Sequence, residues 1–145
     1  MDWITAAILT PLACILYLIV MDWINLYPWN NVAVASPRQK LWLSILTYTP
    51  LIYVSLAFKL HNPSLMIAAL VIVIFYILWH IASWWLPYFF GTSESRKLEH
   101  ERLFGKTVTI LPRIKDHPTP TVGHMVVGLY LAVMLIVSTN AIMRS

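Results

Sequence analysis

At 145 residues, 59% hydrophobic and only 11% charged, with a mean hydropathy of +0.72, the chain falls outside the usual range of soluble globular domains. Its net charge of +4 comes from basic residues confined to loops, a pattern of membrane topology that argues against nucleic acid as a partner. The single cysteine, Cys14, lies in an apolar run and excludes an intrachain disulfide.

No basic residue precedes the first apolar run, unlike a secretory signal, so that run is expected to stay in the mature protein. A membrane helix needs about 20 predominantly apolar residues. Four stretches meet or approach that length: 4–21, 41–58, 65–87 and 122–143. The expected fold is a single domain over 1–145, an all-α integral membrane protein with four transmembrane helices in an antiparallel bundle.

The first connection holds Tyr27, Pro28, Trp29, Asn30 and Asn31, aromatic and turn-forming types suited to a membrane interface. Ser36-Pro37 then reads as a cap followed by a proline at the first helical position, which starts the second helix. Asn62-Pro63 makes a minimal turn, so the second and third helices are antiparallel neighbours. Residues 91–121 form the one sizeable polar segment. Within it, 94–104 lacks proline and glycine and is followed by Gly105, expected to take the left-handed conformation that stops a short interfacial helix. Beyond, 107–111 alternates weakly and Pro112, Pro118 and Pro120 hold the chain extended, so this stretch is expected to lie across the mouth of the bundle.

Basic residues set the expected orientation. Arg38 and Lys40 share a side with Arg96, Lys97, Arg102, Lys106, Arg113 and Lys115, whereas Lys59 and Arg144 stand opposite. This bias places 91–121 in the cytoplasm and both termini outside, in a plasma (inner) membrane.

An ionisable group inside a membrane helix is a functional candidate, and His80 is the clear case. One reading makes it a neutral ring hydrogen-bonded to a tyrosine or serine of a neighbouring helix; the other makes it a contact for ligand or proton. Topology brings His124 to the same end, and His80, His124 and Glu101 are the candidate acid–base groups of an enzyme acting on a lipid or polyprenyl substrate. Asp22, Tyr48, Tyr76, Trp84 and Tyr88, with Arg96 and Arg102 for a phosphate, are the candidate ligand contacts. The stripes Ser44, Tyr48, Ser55 and Thr10, Cys14, Tyr17 suit close helix packing better than chemistry. No histidine pair has metal-ligand spacing: Glu99, His100 and Glu101 are adjacent and point apart on a helix. A haem between His80 and His124 is disfavoured because the two are expected about 10 Å apart in depth. The sequence leaves the cofactor unknown.

Three functional classes follow: a protein binding an amphiphile, lipid headgroup or membrane partner protein at its cytoplasmic side, a membrane-embedded lipid enzyme, and a subunit of an oligomeric channel or transporter. Gly123, Gly128, Ala132 and Ser138 offer small patches for a second copy, so a homo-oligomer surrounded by membrane lipids is expected. Impermeant thiol reagents applied from outside should label cysteines placed at Asn62 and Ser145 but not at Lys106 or Lys115; labelling at Lys106 would reverse the orientation.

Overall fold

A computed structural model describes residues 2–145, all of whose regular elements are helical. Four helices are long and apolar enough to cross a membrane: α1 (Trp3–Trp23), α2 (Pro37–Lys59), the continuous rod Pro63–Phe90, and α6 (Val122–Met143). The rod consists of α3 (Pro63–His80), a π-helical turn (Ile81–Trp85) and α4 (Leu86–Phe90). The short helix α5 (Glu94–Phe104) lies in the long connection. Each span extends a few residues past its apolar stretch except α6, because caps rather than hydropathy end a helix.

Those caps are specific. Asp2 accepts the Thr5 N–H at 2.6 Å to open α1, and Ser36 with Gln39 forms a reciprocal capping box on α2, with Pro37 at the first turn. Asn62 accepts from Ser64 and Leu65, with Pro63 following, so the tight turn from α2 into α3 needs only His61 in a left-handed conformation (φ 51). Gly105 differs from expectation: it is right-handed (φ −59), and its N–H bonds Glu101 O as an ordinary last turn.

The helices form a ring in which α1 packs on α2 and α6, and α3 packs on α2 and α6, all antiparallel. Val54, Phe58, Met66, Val73 and Met134 fill its centre. Hydroxyls tie the first pair together: Ser55 donates to Ile8 O at 3.0 Å, Trp23 Nε1 to Ser44 Oγ at 3.2 Å, and Tyr48 to Asp22 Oδ2 at 2.8 Å.

The third rod carries one irregularity, and proline explains it. The Pro87 ring would clash with the carbonyl four residues back, that of Ser83. The chain widens there, and the Leu86 N–H bonds Ile81 O, a five-residue step.

The small residues of α6 are used inside the bundle. Gly123 abuts Met21 and Tyr17, Gly128 abuts His80, and Ser138 is buried, so only Ala132 remains exposed. The patch expected to receive a second copy is thus largely spent on the chain's own helices. A Cβ at Gly128 would lie 3.0 Å from His80 Nε2. Gly128→Val should cost about 1–3 kcal/mol by overpacking. Combining it with His80→Ala should recover much of that loss in a double-mutant cycle of detergent unfolding; strictly additive losses would contradict this contact.

Candidate functional site

The polar connections converge at one end of the bundle, and backbone bonds knit them into a floor. Asn30 holds the first connection: its Oδ1 accepts from Leu26 N at 2.7 Å, and its Nδ2 donates to Met21 O at 2.8 Å and Ile24 O at 2.7 Å. These bonds satisfy carbonyls that the end of α1 would otherwise leave open. Val108 joins the two connections, donating to Pro28 O at 3.0 Å and accepting from Val122 N at 3.1 Å. The stretch after α5 therefore crosses the bundle mouth as its prolines predict. Tyr88 donates to Pro112 O at 2.9 Å and His117 Nδ1 meets Tyr88 O at 2.9 Å, tying the end of the third rod to the same floor. His117 also packs on Gly91, whose φ of 80 suits glycine.

Above the floor, Trp84 is the centre of an aromatic cluster. The His124 ring stacks on it with centroids 3.3 Å apart, Phe104 meets it edge-on at 5.4 Å, and His100 lies at 6.1 Å. Thr121 caps α6, and His124 takes the place usually held by glutamate in the capping box. Its Nδ1 lies 3.3 Å from the Thr121 N–H and 2.8 Å from the Thr121 hydroxyl, so Nδ1 accepts and the ring proton belongs on Nε2.

Two chambers flank this cluster. The first, about 210 Å³ and mainly apolar, lies among α1, α2, α6 and the first connection; Tyr17, Met21, Leu43, Val127 and His124 line it, with Asp22 and Lys40 also on its wall. The second, about 490 Å³ and polar, lies beside α5, with His100, Glu101, Arg113, Asp116, His117 and Thr119 on its wall. Phe104 and Thr107 line both, and so form a common partition.

The expected site residues fall into distinct groups. His80 is 8% exposed, its Nε2 has no hydrogen-bond partner, and it lines neither chamber because Gly128 covers it. The expected tyrosine or serine of a neighbouring helix does not bond its Nε2, and Tyr76, one turn earlier on the same helix, donates to Leu46 O at 2.8 Å on α2. His124 reaches the apolar chamber and Glu101 the polar one, and among the described residues no hydrogen bond joins His80, His124 and Glu101. Since His80 faces Gly128, one turn from His124, the two differ in level by roughly 6 Å along α6, less than the expected 10 Å. Asp22 and Tyr48 bond one another, and Tyr88 belongs to the floor. Arg96 and Arg102 are exposed and line neither chamber. Among the described residues, no group of three His, Cys, Asp or Glu could hold a metal ion.

Sequence reasoning passed over Thr119, weighed His100 only as a metal ligand, and placed Asn30 at the interface level without a specific role. The i, i+4 pair His100 and Phe104 was the available signal, since two flat rings on one face of a polar helix need something to pack on.

Electrostatics in the polar chamber are internally compensated. Lys97 pairs with Asp116 and, at 3.4 Å, with Glu94, while Arg113 pairs with Glu101 at 3.1 Å. The bond between Lys97 and Asp116 raises the lysine's pKa and lowers the aspartate's. Burial pushes the His100 imidazole below its ordinary value, against the opposing pull of the Thr119 backbone and the Glu101 carboxylate. The folded chain thus binds this proton less readily than the unfolded chain. The stability due to neutral His100 is present above the unfolded value of about 6.5 and is lost as pH falls toward the folded value. Unfolding temperature in detergent should therefore drop between pH 7 and pH 5, and His100→Gln should flatten part of that drop; an unchanged slope would remove His100 as a contributor. No protein-family model, curated protein or solved structure matches the chain.

Proposed function

We propose that this chain is an integral membrane protein that binds a single amphiphile at the cytoplasmic end of its bundle, its tail in the apolar chamber and its headgroup in the polar one. The observation that carries this reading is the common partition: a mainly apolar and a polar cavity meet at Phe104 and Thr107. Binding sites for small molecules are concave and mostly apolar, with a few placed polar groups, and this pair of cavities divides those qualities between two neighbouring spaces.

A path for the tail supports the same reading. A second apolar groove of about 310 Å³ lies on α1 and α6, lined by Leu9, Thr10, Ala13, Leu129, Tyr130 and Val133. Tyr17 and Tyr130, with ring centroids 5.8 Å apart, connect the level of the chamber with that of the groove. A tail longer than the chamber would run between α1 and α6 toward the bilayer centre.

The orientation rests on the distribution of Lys and Arg, which favours the cytoplasm for the chamber end. Lys40, on the wall of the apolar chamber, has no ion pair among the described residues.

Native mass spectrometry after mild extraction should find one lipid class bound stoichiometrically and enriched over the bulk membrane. Val127→Trp, which fills the apolar chamber, should reduce that occupancy about tenfold, equivalent to about 1.4 kcal/mol of binding, with the unfolding temperature nearly unchanged. A wild-type chain free of any enriched amphiphile, or a Val127→Trp variant that keeps it, would defeat the proposal.

A further inference from the structure

The apolar chamber carries an open hydrogen-bond donor on its wall. His124 Nδ1 accepts from the Thr121 N–H, which leaves the ring neutral with its proton on Nε2. The Nε2 atoms of His80 and His100 are sealed among protein atoms, whereas that of His124 keeps accessible surface on a half-buried ring. It has no hydrogen-bond partner among the described residues, and of the cavities described above this ring borders the apolar chamber alone. An N–H that faces apolar surroundings without an acceptor forfeits a bond it would have made in water.

Tyr17 brings a second donor to the same wall from α1. Its hydroxyl lies 3.4 Å from Gly123 O, beyond the roughly 3.0 Å that bounds a good O–H···O bond. The hydroxyl is thus only loosely engaged, and a better acceptor can take its proton. Gly123 directly precedes His124, so both donors stand at the first turn of α6. Phe104 meets the His124 ring edge-on with centroids 4.9 Å apart, so the partition between the chambers begins beside this pair. The two charged residues on the wall, Asp22 and Lys40, cancel in formal charge, and the Asp22 carboxylate already accepts from Tyr48. The chamber therefore favours neither a cation nor an anion.

Two donors in an apolar space of no net charge call for an acceptor that brings no proton of its own. A carbonyl oxygen has two lone pairs and no hydrogen. In an amphiphile whose tail fills the apolar chamber and whose head lies beyond Phe104, the group at this level is the linkage between them. We infer that the ligand is an acyl lipid, whose ester or amide carbonyl accepts from the His124 Nε2–H and the Tyr17 hydroxyl. This inference rests on the two-chamber reading and names the chemistry of the junction. An ether oxygen in the same place is a weaker acceptor, crowded by its two alkyl arms, and leaves one donor unanswered.

The test uses the full chain in nanodiscs of dialkyl-ether phosphatidylcholine, a host lipid without carbonyls. Equal amounts of 1-oleoylglycerol and its ether counterpart 1-oleylglycerol are added, and native mass spectrometry separates the bound species by mass. The ester should occupy the chain at least about tenfold more than the ether. Tyr17→Phe removes one hydroxyl and no cap, and His124→Phe keeps a flat ring against Trp84; each should cut the preference at least about threefold without changing occupancy by the ether. The tyrosine variant decides the matter should the histidine variant fail to insert. Equal occupancy by ester and ether, or a preference that survives Tyr17→Phe and His124→Phe, overturns the carbonyl inference and leaves the amphiphile reading standing. Oleate binding tighter than the ester also overturns it, in favour of a carboxylate drawn by Lys40. Absence of binding by ester, ether and oleate alike overturns both readings.

Discussion

His80 and Trp84 stand one turn apart on the third rod, and they meet Gly128 and His124, one turn apart on α6 in the opposite direction. This pair of contacts sets how far the two antiparallel helices slide past one another. A glycine admits the imidazole where any side chain would crowd it, and the Trp84 face then receives His124 at stacking distance. Everything at the loop end takes its position from that seam. His124 is held by its stack and its cap, Phe104 closes over the tryptophan edge, and α5 is thereby fixed as the divider between two cavities.

The same seam explains why the deepest histidine is the least available one. A ring buried in lipid-facing helices is costly to place, and such rings are often taken as working groups. Here, α6 covers the ring, and the histidines that border the two chambers are His124, His100 and His117, nearer the floor. His80 contributes by shape. The polar work of the bundle is done instead by hydroxyls that bridge helices, as Ser55, Tyr48 and Tyr76 do.

The four spans were legible because lipid forces a simple rule on the chain: about 20 apolar residues, every backbone group satisfied within the helix, and punctuation by Ser36-Pro37 and Asn62-Pro63. The helix over 94–104 was legible from the absence of breakers. The rotation of each rod was harder to read, because helices apolar on all sides carry almost no periodic signal of which face turns inward. That is why His80 and Tyr76, spaced as same-face neighbours, serve different partners on α6 and α2. Pro87 could be read as a kink or as a wide turn, and only packing chooses between them. Thr119 gave no signal at all, and Asn30 only that of an interface turn, since a threonine between prolines and an asparagine in a turn are ordinary loop residues until distant segments close around them.

The bridge made by Val108 also orders the events of synthesis. Its two bonds reach back to Pro28, made long before, and forward to Val122, made after it. The first three rods can enter the bilayer and pair with their neighbours as they leave the ribosome, since each adjoins the one before it. The floor cannot close until the last rod has been threaded. During that interval the chain is a three-helix intermediate with an open seam along the faces of α1 and α3 that will receive α6. The ribosome-bound chain therefore passes through a stage in which its transmembrane segments are largely inserted while the floor at its loop end does not yet exist.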